Sequence, residues 1–104
     1  MAKLTVTPEK IQNGWMITVA GEIDLSSADA FYDTVFAAYQ SAALPLTFDC
    51  KDLTFIDSTA LGAFVKINRL AAANGHSVTV RAAKNNVKKL FVICALDKVF
   101  EFED

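Results

Sequence analysis

Strand, helix and strand patterns follow one another in the middle of the chain, and this order constrains the fold more than any other feature. Residues 46–50 are interpreted as a buried strand, and residues 78–81 as a second short strand. Between them, from about Ser58 to Asn74, apolar side chains recur at helical spacing. A strand, a helix and a further strand imply parallel pairing through a right-handed crossover. The sequence therefore predicts an α/β fold.

The central helix has chemically marked ends. Asp57 is a good N-cap because its carboxylate can accept from the free N–H groups of the first turn, and Asn74-Gly75 supplies a left-handed stop. At about 100° of rotation per residue, one side of this helix is mostly apolar and faces the core. The core side consists of Ala60, Ala63, Phe64, Ile67, Leu70, Ala71 and Asn74. The outward side consists of Ser58, Gly62, Val65 and Arg69.

The N-terminal part of the chain predicts an antiparallel strand pair. Residues 4–6 alternate apolar and polar side chains, and Trp15, Ile17 and Val19 alternate with Met16, Thr18 and Ala20. Asn13-Gly14 between the two segments is typical of a hairpin turn. Pro8 has no N–H for a strand ladder, so the first strand is expected to be irregular or to lie at the edge.

Two more helices and a last strand complete the expected fold. The first of these helices is capped by Ser26 or Ser27 and has one apolar face, made of Phe31, Val35, Ala38 and Ala42. The second is capped by Asn85 or Asn86, and its apolar face is made of Val87, Leu90, Phe91 and Cys94. The last strand, residues 99–102, closes the sheet. We therefore predict a single domain over residues 1–104. Its mixed sheet has about five strands, with an N-terminal antiparallel pair and three or more helices mainly on one face.

Composition limits the classes of function. The 104 residues are 53% hydrophobic, which suits one compact domain. A net charge of −2 provides no basic field for nucleic acid phosphates, so direct nucleic acid binding is not expected. No apolar run reaches the length of a membrane span, and residues 1–5 lack the apolar core of a signal peptide. We expect no membrane insertion and a cytoplasmic protein.

The sequence contains no pattern typical of a catalytic, metal or cofactor site. Cys50 and Cys94 are too few and too separated for a zinc site and are predicted to be small buried apolar residues, while His76 falls in a turn. There is no Gly-x-Ser-x-Gly elbow and no phosphate-binding glycine loop. Asp24 and Asp57 could form a carboxylate pair for acid–base chemistry, but capping and partner contact explain them more simply. We expect no enzyme activity, no metal and no cofactor.

Ser58 is a candidate switch residue. A phosphate there would lie at a helix N-terminus, where free N–H groups and the helix dipole tolerate an anion, so the folded domain could accept it. A partner packed over Ser58 would have to bury that charge beside Asp57. Gly62, one turn further on, leaves room for a close approach. On residues alone, the alternative stays open that Ser58 is a second capping residue and Gly62 a close-packing glycine.

The stretch Asp57-Ser58-Thr59-Ala60-Leu61-Gly62 resembles the phosphorylation-site signature of bacterial anti-sigma factor antagonists, the single-domain members of the STAS family. Residues 21–25, 46–49 and 87–100 resemble other parts of the same family in order and spacing, so the similarity covers nearly the whole chain. The chain departs from the usual pattern at Thr59, where many members carry Ser, and at Ala60, where many carry Gly.

The resemblance implies a specific regulatory function. The serine directly after the Asp, here Ser58, is phosphorylated by a partner anti-sigma factor that is also a serine kinase, and Thr59 is a weaker acceptor candidate. The unphosphorylated form binds that partner and releases a sigma factor; phosphorylation switches binding off, and a phosphatase acting on phospho-Ser58 would restore it. The predicted partner-binding residues are Asp24, Asp57, Ser58, Thr59, Leu61, Gly62, Val65 and Arg69.

A second interpretation shares the fold but not the switch. STAS domains also serve as subunits of other assemblies, such as lipid-transporting ABC complexes or signalling scaffolds, and these need no serine turnover.

Overall fold

The computed structural model describes residues 3–104, which form one five-stranded sheet with three α-helices. The strands lie in the order β1 to β5; β1 and β2 are antiparallel, and each later pair is parallel. The strands are β1 (Thr5–Ile11), β2 (Gly14–Ile23), β3 (Leu46–Ile56), β4 (Val78–Arg81) and β5 (Glu101–Glu103). The helices are α1 (Ala28–Ser41), α2 (Ser58–Ala72) and α3 (Asn85–Ile93), followed by a 3₁₀ turn at Leu96–Lys98. The predicted fold class is confirmed.

The three helices share one core on a single face of the sheet. Phe64 of α2 lies at its centre, with its ring centroid 5.0 Å from Phe31 of α1, 5.3 Å from Phe48 of β3 and 5.2 Å from Phe91 of α3. All four rings are fully buried. Tilted and edge-on contacts at these distances stabilise a core beyond the area that they bury. This central position fixes the orientation of α2, and therefore of its N-terminus.

The β1–β2 hairpin is more regular than the sequence predicted. The strands pair without interruption from Thr5 opposite Ala20 to Ile11 opposite Gly14, and Pro8 pairs with Ile17 inside the ladder. Because β1 is the edge strand of the sheet, a proline nitrogen that faces outward removes no ladder bond. The predicted edge position is confirmed, and the predicted irregularity is wrong.

Strand β3 is longer than predicted, and its extension positions the junction with α2. It ends at Ile56 rather than at Cys50, which is buried as expected. Burial after Cys50 occurs only at Leu53 and Ile56, and the pairing with β2 shifts register twice along the strand. Such irregularities interrupt the simple alternation by which a strand is recognised in sequence.

The C-terminal part differs from the prediction in three respects. Neither Asn85 nor Asn86 caps α3, because both lie inside its first turn and Lys84 occupies the N-cap position. Cys94 is exposed rather than buried, because α3 ends at Ile93 and the chain turns away at Ala95, whose φ is +58°. The last strand therefore begins at Glu101, after the 3₁₀ turn, and not at residue 99.

Candidate functional site

Asp57 joins two loops at the end of the sheet where β2 and β3 finish. Its Oδ1 accepts a hydrogen bond of 3.0 Å from the Ala60 N–H, so the predicted N-cap of α2 is confirmed. Its Oδ2 accepts from the Leu25 N–H at 3.1 Å, and its own N–H donates to the Ile23 carbonyl at 3.3 Å. One carboxylate therefore holds the start of α2 against the loop between β2 and α1.

Asp24 organises that neighbouring loop. Its Oδ1 accepts from the Ser26 N–H at 2.9 Å and from the Ser26 hydroxyl at 2.7 Å, and the Ser27 hydroxyl donates to it at 3.3 Å. The hydrogen bond from the Ser26 side chain is the largest influence on this carboxyl and lowers the pKa of Asp24 below its ordinary value. The loop is therefore held in one shape by its own side chains.

Ser27 occupies the predicted N-cap position of α1 but does not cap the helix in the predicted way. Its side chain makes no capping hydrogen bond, and its hydroxyl instead accepts from the Asp24 N–H at 3.0 Å. The backbone N–H groups of Ser27 and Ala28 donate to the Asp24 carbonyl and close the turn that precedes the helix. Asp24 and Ser27 thus fix the loop rather than the helix.

Ser58 is the first residue of α2 and is exposed, as the helical geometry predicted. Within residues 3–104 its hydroxyl makes no hydrogen bond, and the side-chain cap of α2 comes from Asp57. Gly62 is exposed, with no atom within 4 Å of the position a Cβ would occupy, so the close-packing alternative for this glycine is wrong. Further along the same side, Arg69 is exposed and Val65 is half-buried.

Leu61 is a correction to the predicted partner-binding residues. It is only 4% exposed and belongs to the core, so it offers no surface to a partner. Helix α2 packs against α1 on one side and against β3 on another. Its buried stripe is therefore wider than that of an amphipathic helix that packs against a single surface. The remaining predicted residues, Asp24, Asp57, Thr59 and those on the outward side of α2, keep some exposure.

Thr59 faces a groove between α1 and α2. Gly62 and Ala63 line the same groove from α2, and Lys66 closes it with its Nζ 4.2 Å from the centre of the Tyr32 ring. A cation at this distance over an aromatic face is attracted to it. The groove begins next to Ser58 along the helix.

Two exposed apolar side chains near this edge were missed by the sequence reasoning. Leu25, in the loop organised by Asp24, is 77% exposed, and Phe55, opposite Glu22 at the end of β3, is 44% exposed. The signal for Leu25 was present, since a leucine in an otherwise polar turn after a strand has no core position to occupy. Both lie at the end of the sheet where β2 and β3 finish, which is also the end where Ser58 lies.

The comparison with protein families decides the relationship that this site suggested. The family model described as "Mlab, STAS domain" matches residues 7–101. The chain belongs to the STAS domain family.

Individual proteins to which this STAS domain is similar are named as anti-sigma factor antagonists. The anti-sigma-B factor antagonist of Bacillus subtilis is 26% identical over 98 residues, which cover 94% of this chain and 89% of the relative. An anti-sigma factor antagonist from Mycobacterium paratuberculosis matches with a TM-score of 0.79 and 21% identity, covering 97% of this chain and 86% of that one. The predicted resemblance is confirmed.

The fold is also that of SpoIIAA, an anti-sigma factor antagonist solved in two forms. Its unphosphorylated form matches with a TM-score of 0.81 and 18% identity over 94% of this chain and 87% of that one. The phosphorylated form, from Bacillus, matches with a TM-score of 0.73 and 17% identity, and the match covers 94% of this chain and 90% of that one. At these identities the two matches show that the fold is shared.

In the described part of the chain, no helix is both long and apolar enough to cross a membrane. The same residues bring together no group of three or more His, Cys, Asp or Glu side chains that could hold a metal ion.

Proposed function

We propose that this STAS domain is a cytoplasmic anti-sigma factor antagonist controlled by phosphorylation of Ser58. Its unphosphorylated form binds an anti-sigma factor that is also a serine kinase, and the sigma factor held by that partner is released. The observation that carries the proposal is the exposed Ser58 hydroxyl, free of hydrogen bonds within residues 3–104, at the N-terminus of α2. The similarity to named anti-sigma factor antagonists supports it.

The proposed modification is a phosphoryl transfer to the Ser58 oxygen. Oγ attacks the γ-phosphorus of a nucleoside triphosphate held by the kinase, and the bond from that phosphorus to the β-phosphate oxygen breaks. A nucleoside diphosphate leaves, and the hydroxyl proton passes to a base of the kinase. The product phosphate lies at the N-terminus of α2, where free N–H groups and the helix dipole favour an anion. A phosphatase would remove the phosphate by hydrolysis, in which water attacks the phosphorus, the bond to Ser58 Oγ breaks and inorganic phosphate leaves.

The same phosphate would end partner binding by electrostatic repulsion. It carries a charge of about −1.5 to −2 and is attached to the residue next to the Asp57 carboxylate. Each unit of like charge at about 4 Å costs up to about 4 kcal/mol at an effective dielectric of about 20. A net loss of roughly 3 kcal/mol after screening would weaken binding about a hundredfold. That difference is large enough for a release signal.

The proposed contact surface surrounds this hydroxyl. It joins the Asp24 loop, which Asp57 holds in place, to the outward side of α2. The surface comprises Asp24, Asp57, Ser58, Thr59, Gly62, Val65 and Arg69.

Phosphate mapping tests the proposal. The protein is incubated with a kinase-type anti-sigma factor and ATP, and the phosphate is located by mass spectrometry. We expect incorporation at Ser58 in the wild type and in Thr59→Ala, and none in Ser58→Ala, which should still bind. Ser58→Asp should bind more weakly. Incorporation mainly at Thr59, or none in the wild type, would contradict the assignment.

Capture of the bound partner from the native cell separates this function from the second interpretation. A small kinase that transfers phosphate to Ser58 supports the proposal. A transporter ATPase recovered in its place would assign the domain to another assembly.

A further inference from the structure

Leu25 is the most exposed large apolar side chain in residues 3–104, at 77% exposure. Fully burying a leucine stabilises a protein or a complex substantially, and here most of that side chain stays in water. It lies in a loop whose other side chains, Asp24, Ser26 and Ser27, are polar and bonded to one another. Nothing in the packing of the domain requires a leucine at this position.

The backbone around Leu25 is fixed from three directions. The Leu25 N–H donates to Asp57 Oδ2 at 3.1 Å. On either side of it, the Asp24 N–H donates to the Ser27 hydroxyl and the Ser26 N–H donates to Asp24 Oδ1. An apolar side chain on a preorganised backbone loses little conformational freedom on binding, so more of its burial contributes to affinity. This arrangement is typical of an interface anchor rather than of a mobile loop tip.

The position of this anchor relative to Ser58 is set by a single carboxylate. Asp57 Oδ2 holds Leu25, and Asp57 Oδ1 holds the Ala60 N–H in the first turn of α2. Ser58 lies between Asp57 and Ala60 in the chain. A partner that grips the Leu25 side chain therefore also places the Ser58 hydroxyl in a defined position.

The other exposed apolar side chains are poorer candidates for this role. Phe55 lies on β3 and is already more than half covered, as is Ile11, which pairs with Gly14 at the opposite end of β2. Val92, Ile93 and Val99 belong to the C-terminal end of α3 and the following turn, whereas the N-terminal end of α3 is the one tied to β3 through Asn86 and Thr54. Nine helical residues separate the two ends by about 13 Å.

We propose that Leu25 is the apolar anchor by which the kinase-type partner binds and positions Ser58. The side chain inserts into an apolar pocket of that partner close to its bound nucleoside triphosphate. The proposal rests on the proposed function and adds to it the contact that provides affinity. Leu25 acts on phosphoryl transfer only by positioning the acceptor, since it has no group that reacts.

Kinetic analysis of Ser58 phosphorylation tests the anchor. Leu25→Ser should weaken partner binding and raise KM for the domain by about thirtyfold, in the range for an apolar interface anchor. The value of kcat at saturating domain should change less than about threefold, because the acceptor chemistry is intact. Leu25→Met, which keeps an apolar side chain of similar volume, should recover most of the loss.

The matched control is Ile93→Ser, which removes a 68% exposed aliphatic side chain from the far end of α3. It should leave both Kd and KM at wild-type values. Equal effects of Leu25→Ser and Ile93→Ser, or wild-type Kd and KM for Leu25→Ser, would overturn the anchor. So would failure of Leu25→Met to recover binding, which would indicate a requirement for the native loop rather than for an apolar side chain.

The anchor and the proposed function fail in different ways. If wild-type protein is phosphorylated at Ser58 and Leu25→Ser is equally good, the anchor is wrong and the function stands. If the wild type neither binds the kinase nor accepts phosphate, the function itself is wrong. Thermal unfolding of Leu25→Ser should match the wild type within a few degrees, since the side chain is exposed.

Discussion

Helices α2 and α3 both start after parallel strands at the same edge of the sheet, but their N-termini are built differently. At α2, Asp57 caps the first turn and holds the neighbouring loop, and the next side chain, Ser58, is exposed. At α3, Lys84 occupies the N-cap position and makes no side-chain capping bond. Helix α3 is instead tied to β3 by Asn86 Nδ2, which donates to the Thr54 carbonyl at 2.8 Å.

The two N-termini also differ in the charges that surround them. Carboxylates of Asp57 and Asp24 lie at the α2 end, whereas Lys84 and Lys88 lie at the α3 end. A phosphate added near α3 would be neutralised by lysines. Under the proposed function, a phosphate at α2 would join existing negative charge that a docked partner would have to bury, so the same modification would have a much larger effect on binding there. The charges at the two ends therefore favour the α2 end for the proposed switch.

Removal of the Asp57 carboxylate should produce the largest loss of stability. Asp57→Ala leaves the Ala60 N–H without its cap and the Leu25 N–H without its acceptor. A lost cap costs about 1 kcal/mol and a lost loop bond about as much again, which together lower Tm by roughly 10 °C in a domain of this size. Thermal or urea unfolding measures the change.

Two further variants sharpen the test of Asp57. Asp57→Asn keeps an acceptor oxygen for only one of the two hydrogen bonds, so its Tm should lie between those of the wild type and Asp57→Ala. Asp52→Ala removes an exposed carboxylate of β3 that accepts no hydrogen bond within residues 3–104, and it should leave Tm nearly unchanged. Equal losses for Asp57→Ala and Asp52→Ala would show that the α2 end is not held as described.

The sequence was sufficient for the cap of α2 and for the exposure of Ser58 because both depend on local geometry. A cap forms between residues three apart, as Asp57 and Ala60 are, so the residue type and its place before an apolar helical pattern identify it. The exposure of Ser58 followed from helical rotation alone. The link from Asp57 to Leu25 spans 32 positions and left no trace in the local pattern.

The failures lie where long-range contacts replace local ones. Asn86 was predicted as a possible cap by its residue type, but its side chain is used 32 positions away on Thr54. Leu61 was predicted to contact a partner, but it is buried, because the width of the buried stripe of α2 depends on how many neighbours pack around the helix. Cys94 matched the buried spacing of α3, but the helix ends one residue before it.

An added cap should make the α3 end resemble the α2 end. Lys84 has φ −65° and ψ 156°, an extended conformation compatible with an N-cap. Lys84→Asp supplies a carboxylate for the free N–H groups and removes a cation from the positive end of the helix dipole. We expect a gain of about 1 kcal/mol, or about 5 °C in Tm. Lys89→Asp makes the same charge change beyond the first turn and should raise Tm only slightly. A similar gain in Tm from both variants would show that net charge, and not capping, causes the effect.

The smallest expected effect is the pH dependence of the stability that the Asp24 loop provides. The N-terminus of α3 has no corresponding loop. The bonds from Ser26 lower the pKa of Asp24 below 3.8 in the folded protein, so the carboxylate favours folding above about pH 4. That contribution decreases as pH falls through the lowered folded pKa, because both states are then protonated. Asp24→Asn removes the ionisable group but keeps an acceptor oxygen. The Tm difference between wild type and Asp24→Asn should therefore be larger at pH 6 than at pH 2.5, and a difference independent of pH would show that the charge on Asp24 does not stabilise the loop.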